Sequence, residues 1–572
     1  SGIKWRKRRG MWVKKCWSTR DGKKYVTHHV VQSYRDEEGK VKHNYVVNLT
    51  GLPQEAIEAV RRALKGQTGE MGLEDVEVTG GDSLRGAGQM AIWRAWKKTK
   101  MEKVLSSFTE ADRKSIFAMM AGRITEPCSK LALKDRCADT FWARSFSDNR
   151  LDEDVLYEVL DRLAEQFYPV QENLADAAEG EPTLMLYDTT STYFEGTEAE
   201  GGEYGNSKDK RWDRYQIIVA VVTDGEGRPL AVEVWPGNTA DCATVQHQIE
   251  LLKDRFGLKK AVFVGDKGMY SEANLDAITE AGYDYIVGLE YHRQKRLLLG
   301  LGKGQLDLFA EQGCYEWQED GVRYVGYFSA RRQYRESRRR ERKMEETEQE
   351  LSRLQQTARK GRYYTPRRLR EKVANLLEWA GVRDLWNVEI EPLDETRGPD
   401  EKSRIALAFS PHEVAIERRK AMEGRYVLAT TLDEDERSAE DVHEDYKRLQ
   451  RVERGFRHIK SYLKIRPIYH RLWRRIRAHV LICFLAYHLV WRMETELREA
   501  GITTEVETVL RRWDQLRLSE TTVEVAGESR TQWSWSLGQL GREVRKEIKQ
   551  AGMWRSLAAY RRGISIPTAP AT

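Results

Sequence analysis

Thr183-Leu-Met-Leu-Tyr-Asp188 is a short apolar run that ends in an acid, and Lys260-Ala-Val-Phe-Val-Gly-Asp266 repeats the pattern. Runs of this length between turn signals read as buried strands. Between them, Tyr215–Thr223 and Pro229–Trp235 flank the turn Asp224-Gly-Glu-Gly227, which predicts an antiparallel hairpin. Asp241 is placed to cap a helix reaching about Leu252. A helix over Ser271–Ala281 and a strand over Tyr283–Leu289 follow the second acid. Three antiparallel strands, then strand, helix and strand, is the order of a ribonuclease-H-like core. The expected fold class is α/β, a ribonuclease-H-like mixed sheet flanked by helices.

Working outward, the core is interrupted by an α+β insertion. A strand pair (Cys314–Trp317 and Arg323–Ala330) leads into the charged helical stretch Gln333–Trp379, cut at Pro366; Ser403–Phe409 and Arg425–Thr431 are strand-like again. Helices over His443–Leu463 and His479–Arg498 then close the core. Upstream, residues 22–50 alternate apolar and polar as a small basic sheet does, and Pro53 opens a helix through Leu64. Gly66–Gly88 reads as a turn-rich connection, and Met101 to about Glu172 as a helical bundle broken at Pro127 and Pro169. The expected organisation is a basic DNA-binding region (1–100), a helical bundle (101–180), the first part of the core (181–294), the insertion (295–430), the second part of the core (431–495) and a C-terminal helical region (496–572).

Composition removes several classes. At ~150 residues per domain, the chain is too long for one ordinary core. Its 17 Trp, 25 Tyr and 13 Phe are far more than an unfolded polar chain carries. The best membrane-spanning candidate, Val480–Trp491, falls short of ~20 residues and contains His488. No charged-then-apolar leader opens the sequence, so neither membrane nor secretion is expected. Six scattered cysteines without a CxxC pair argue against a zinc ribbon or a disulfide framework and suit a reducing cytosol. No histidine-based metal motif and no phosphate-binding GxxxxGK[ST] loop is present.

The net charge of +6 says less than its distribution. Residues 1–48, which include Lys14 and Lys15, hold 13 Lys/Arg against 4 Asp/Glu. Arg331–Lys343 carries eight bases, among them Arg338, Arg339 and Arg340, against Glu336 and Glu341. Arg454–Arg477 has nine bases, including Arg457 and Lys460, and no acid. One such block alone reads equally well as a solvated helical face. Three together, two interleaved with Trp and Tyr, point to phosphate-backbone contacts with stacking platforms. Trp379 and Trp386 read as domain core rather than as part of the site.

Adjacent strands ending in Asp188 and Asp266 bring two carboxylates to one end of the sheet, where ligands meet open sheets. Two ionised carboxylates held close repel, which implies a raised pKa or a divalent cation between them. Oxygen ligands suit Mg²⁺. A candidate third acid lies on the helix after the insertion, where Glu453 is the only acid between Asp445 and Glu494. At ~100° per residue, Tyr446 and Lys460 lie close to its direction, with Arg457 one turn on. From the helix alone, ordinary i,i+4 pairing is the favoured reading of such a face, and the isolation of Glu453 among bases is what shifts it toward the site.

Taken together, Leu186-Tyr-Asp188-Thr-Thr, Gly237-Asn238 with Asp241 and Thr244, Gly265-Asp266-Lys-Gly268, and Tyr446…Glu453…Lys460 resemble the bacterial insertion-sequence DDE transposases. The likeness is to the branch with a Tyr-Arg-Glu-Lys signature and covers roughly residues 180–290 and 425–490. The signature's arginine position is Leu449 here, with Arg448 and Arg451 on neighbouring faces. The resemblance implies Asp188, Asp266 and Glu453 as catalytic metal ligands for Mg²⁺, with Mn²⁺ as an alternative, and Tyr446 and Lys460 as DNA contacts.

The expected activity is metal-dependent cleavage at transposon ends followed by strand transfer into target DNA, by cut-and-paste. Expected partners are double-stranded DNA, as terminal inverted repeats and target, and a second copy of the chain in a synaptic dimer. The expected setting is the bacterial cytoplasm at the nucleoid. Arg454, Arg457, Arg338, Arg339, Arg340, Lys14 and Lys15 are the further candidate DNA contacts. Two rivals are a ribonuclease-H-like nuclease that only cuts and a catalytically silent DNA-binding regulator.

Overall fold

The computed structural model describes residues 11–20, 23–35, 41–50, 52–65, 76–143, 150–178, 180, 183–254, 260–301, 313–319, 321–393, 398–525, 528–536 and 541–557. The expected small basic sheet forms as three antiparallel strands, β1 (Met11–Arg20), β2 (Lys23–Arg35) and β3 (Val41–Asn48). Helix α1 (Gln54–Lys65) closes it, packing Ile57 and Val60 against Val13, Val30 and Leu49. The next segment departs from expectation. Residues read as a turn-rich connection contain strand β4 (Val76–Arg85), and Ala87 already opens helix α2 (Ala87–Lys98). The bundle follows as α3 (Met101–Val104), α4 (Glu110–Thr125), α5 (Lys130–Cys137), α6 (Glu153–Glu165) and α7 (Phe167–Ala177). Thr109 and Ser129 set two of its starts, their hydroxyls accepting from the backbone N–H of Asp112 and Ala132.

The central sheet begins with β5 (Leu184–Tyr193), which runs well past Asp188 instead of ending there. It pairs antiparallel with β6 (Gln216–Asp224), and β6 with β7 (Pro229–Pro236). Helix α8 (Val245–Asp254) leads to β8 (Val262–Gly265), parallel to β5; α9 (Glu272–Glu280) leads to β9 (Asp284–Gly288), parallel to β8. Helix α10 (Tyr291–Gly300) follows, then β10 (Cys314–Glu319) and β11 (Val322–Phe328). This last pair, expected inside the insertion, instead extends the sheet.

The interruption then runs through two helices, α11 (Ala330–Ala358) and α12 (Pro366–Ala380). The two-stranded β12 (Trp386–Pro392) and β13 (Ile405–Pro411) and helix α13 (Glu413–Met422) complete it around Leu351, Leu369, Val373, Leu385 and Leu407. The chain re-enters the sheet as β14 (Arg425–Thr430), between β11 and β9. The finished mixed sheet has eight strands in the order β10-β11-β14-β9-β8-β5-β6-β7.

The helix expected over His443–Leu463 is segmented. It forms as α14 (Ala439–Lys447), α15 (Leu449–Arg457) and a π-helical turn His458–Tyr462, with Arg448 at the joint. Helix α16 (Trp473–Glu499) is longer than read and holds a window apolar enough to cross a membrane, yet 83% of that window is buried inside the protein. It is a core helix, packed among α2, α4, α6 and β7. The tail, expected as helical, contains α17 (Val506–Trp513), then the hairpin β15 (Arg517–Val525) and β16 (Glu528–Ser536), then α18 (Arg542–Gln550). Strand β15 pairs with β4, so segments near opposite ends of the chain share one sheet.

Candidate active site

Strands β5 and β8 are parallel neighbours with Leu186 opposite Val264, and the same register carried two residues on brings Asp188 level with Asp266. Asp188 is half-buried within β5, its Oδ1 accepting from the Thr189 backbone N–H at 2.8 Å. Asp266 follows β8 directly and caps a short 3-10 turn, its Oδ1 accepting from the Gly268 N–H at 2.8 Å. Glu453 stands exposed on α15. Burial pushes the Asp188 carboxyl up to about 7, with the charges of Asp266 and Glu453 acting in the same direction and the Lys208 ammonium opposing them. The three acids therefore act on one another. Among the described residues, however, no three His, Cys, Asp or Glu side chains stand at the spacing that holds a metal ion.

Two polar partners, Lys208 and Asp241, complete the site; sequence reasoning missed Lys208 and gave Asp241 a different place. Lys208 Nζ donates to the Thr189 carbonyl at 2.7 Å and to Thr189 Oγ1 at 2.9 Å, and stands 3.2 Å from Asp241 Oδ2. Thr189 Oγ1 donates to Asp241 Oδ1 at 2.6 Å. Asp241 is thus no helix cap. It opens a 3-10 turn whose cap is Ala240, and its carboxylate turns toward the acids instead. A Cβ at Gly268 would lie 3.1 Å from Asp266 Oδ1 and 3.6 Å from Asp241 Oδ2, so glycine lets the loops that carry these two acids come together. Nothing in a one-dimensional pattern joins Lys208 to Asp241; the β5–β6 connection does so in space.

Tyr446 reaches the same site from α14. Its ring packs so closely on β9 that a Cβ at Gly288 would lie 2.6 Å from the phenol oxygen. Burial raises its phenol to about 12, with Asp266, Glu453 and Asp188 raising it further and Arg332 opposing. Lys460, expected in line with Glu453, is displaced by the π-helical turn. Its Nζ donates to Asp209 Oδ1 at 2.8 Å, with Arg466 also on that oxygen. Burial lowers the Lys460 ammonium, against the pull of Asp209. Neither neighbour of the buried Leu449 takes the arginine position at the acids. Arg448 pairs with Asp445 at 3.4 Å, and Arg451 holds Glu226 at 3.1 Å and the Gly225 carbonyl.

The outlying candidates divide. Arg454, Arg457, Arg338, Arg339 and Lys15 are exposed, and Lys14 is half-buried on β1. Arg340 is turned inward, with Nε 2.8 Å from Glu423 Oε1 and both side chains nearly buried. Trp386 is core, as expected, but Trp379 is 89% exposed.

A family model described as the transposase DDE domain matches residues 179–489, more than half of the chain. The chain belongs to the DDE transposases. A second model, the N-terminal domain of IS1634 family transposases, matches residues 13–74 of this insertion-sequence transposase. No curated protein matches it. Among solved structures it is similar to the one titled "Cryo-EM structure of piggyBac transposase synaptic complex with hairpin DNA (SNHP)". The identity is 10% and the TM-score 0.37, over 85% of this chain and 86% of that one, a likeness too low to define the fold. The transposase is a DNA-cleaving enzyme, and enzymes with this domain generally use divalent metal ions.

Proposed function

We propose that this transposase cuts the ends of its own mobile element and joins the freed strands to target DNA, a cut-and-paste reaction run by Asp188, Asp266 and Glu453. The observation that carries the reading is the Asp188 carboxyl, raised to about 7 by burial and by the two other acids. Carboxylates held together at that electrostatic cost fit a site that takes a hard cation. The all-oxygen donor set suits Mg²⁺, or Mn²⁺, better than a softer metal. Asp188, Asp266 and Glu453 would hold it, the exposed Glu453 having the most freedom to complete the set. The bound metal would supply the charge that activates the attacking oxygen and stabilises the departing one.

The remaining roles belong to side chains. Lys208 and Thr189 hold Asp241 beside the ligands, so the acid loop keeps its shape while charge changes at its centre. Tyr446, wedged on β9, lines the approach to the cut phosphodiester. Arg454, Arg457, Arg338 and Arg339, with Lys14 and Lys15 in a DNA-binding region over residues 1–100, take phosphates along the duplex. Lys460 and Arg340 serve through their acid partners. A meander of three antiparallel strands followed by two parallel ones supports a ribonuclease-H-like core over 181–294 and 431–495, which also takes in β10, β11 and β14 on either side of the insertion. Two ends must be cut together, so the working form is a homodimer at the bacterial nucleoid.

The test is strand-specific cleavage of the native element end, with Mg²⁺ and with EDTA, for wild type and Asp188→Ala. Metal-dependent nicking at the boundary that the mutant lacks is the expected result. Nicking without any strand-transfer product would instead make the protein a nuclease. Binding without cleavage, with both ends supplied, would make it a regulator.

A further inference from the structure

The root of the insertion holds a cleft of whose lining only Arg339 has been given a direct DNA contact above. It is an open-sided space of about 360 Å³ between α10, α11, α13 and the end of α12. Arg332, Arg339, Arg340, Lys343, Arg419 and Arg425 line it against only two acids, Glu336 and Glu423. The acids are already engaged. Glu423 takes Arg340 and the Ser337 hydroxyl, and Glu336 takes Arg332 Nε at 2.8 Å and the Gly424 N–H at 2.9 Å.

Arg419 and Lys343 are oriented mainly by neutral groups, with the Asp384 carboxylate 3.9 Å from Arg419. Arg419 donates to the Tyr291 hydroxyl at 2.8 Å and the Gly381 carbonyl at 3.2 Å, Lys343 to the Ala380 carbonyl, and Arg425 to the Ala421 carbonyl at 2.6 Å. Six bases stand against Glu336 and Glu423 in the lining and Asp384 behind Arg419, so the cleft keeps a surplus of positive charge. Such walls focus field toward an anion. The planar fork of an arginine can donate two parallel hydrogen bonds to the non-bridging oxygens of a phosphate ester.

The cleft also connects to the acids. Arg332 lies 5.2 Å over the ring of Tyr426, and that ring is 6.3 Å from Tyr446, which packs at Gly288 beside the acid loop. A strand passing Tyr446 would meet Arg332 next and then the cleft. We propose that this cleft seats the phosphodiester backbone of the DNA strand beyond the cut, so that the insertion positions the scissile bond. The proposal rests on the transposase reading above and assigns it a specific phosphate-binding seat.

The test is fluorescence anisotropy of a labelled element-end duplex in EDTA, for wild type, Arg339→Glu, Lys343→Gln and Arg342→Glu. The last has the same charge change on the same helix but lies outside the cleft and is exposed. Arg339→Glu is expected to weaken binding about tenfold and to lower the slope of log affinity against log salt by about one. Lys343→Gln is expected to follow more weakly and Arg342→Glu to stay within about twofold of wild type. Thermal melts of each variant check the fold, and a parallel melt with inorganic pyrophosphate reads a free anion.

Equal losses in Arg339→Glu and Arg342→Glu would overturn the seat. So would pyrophosphate stabilising wild type alone while DNA affinity stays unchanged in Arg339→Glu, or a wild type that binds no duplex. If Arg339→Glu loses binding but wild type cleaves nothing, the seat stands and the catalytic reading falls.

Discussion

Asp188 spends stability on function. Its carboxyl is held half-buried next to other acids, a position that neutral asparagine would occupy more comfortably. Asp188→Asn should therefore raise the melting temperature of the metal-free protein by about 2 °C or more, while abolishing cleavage. Mn²⁺ should shift the melting temperature of wild type upward and leave this variant unmoved. Differential scanning fluorimetry with and without the metal reads both. Glu453→Gln should likewise cleave nothing yet still retard labelled ends in a gel; lost binding would make Glu453 a structural residue. At this scale the sequence singles out the three acids because each follows an apolar run or stands alone in a basic stretch, and these variants test the role proposed for them. It gave no sign of Lys208 and read Asp241 as a helix cap, where the fold pairs the two at 3.2 Å beside Thr189.

Between elements, the contact of α14 with β9 is a tight constraint near the site. A methyl at Gly288 would drive into the Tyr446 hydroxyl, so Gly288→Ala should destabilise by about 1–3 kcal/mol and lower cleavage with it. Tyr446→Phe added to Gly288→Ala should recover part of the stability, since it removes the colliding atom; an additive double mutant would refute the contact. On the same helix, His443 stacks on Tyr327 with ring centroids 3.7 Å apart and touches the Tyr426 hydroxyl. Burial pushes its imidazole down to about 4, with Lys447 acting the same way. The unfolded chain binds this proton near the ordinary 6.5, so its contribution to stability is complete above that pH and is lost as pH falls from 6.5 toward 4. Melts across that window should show a decline that His443→Phe lessens. The periodicity of residues 443–463 gave helix correctly but not the joint at Arg448 or the π-turn, because neither changes which faces are apolar. The π-turn is what sends Lys460 to Asp209.

For the whole molecule, the sheet formed by β4, β15 and β16 ties the chain together. Leu84 and Leu518 face each other across it and are both buried. Leu518→Ala should cost about 2–4 kcal/mol, and a chain ending before Arg517 should melt well below the full protein although every acid of the site lies upstream. Equal melting of the truncated chain would show that the sheet adds nothing. This sheet was not legible in advance. The Gly80-Gly81 pair in β4 signals a turn, and its partner strand is too far along the chain for any local pattern to register.

That distance has a consequence during synthesis. Asp82 and Glu520, hydrogen-bonded across the sheet, are 438 residues apart. At a translation rate of ~5–20 residues per second, β4 leaves the ribosome about 20–90 s before its neighbour exists. For that interval its hydrogen-bonding edge is open to any other strand. The nearest candidates are identical β15 strands on chains being finished on the same messenger RNA. Ribosome spacing on that message therefore sets how many newborn transposases close on themselves and how many exchange strands with a neighbour.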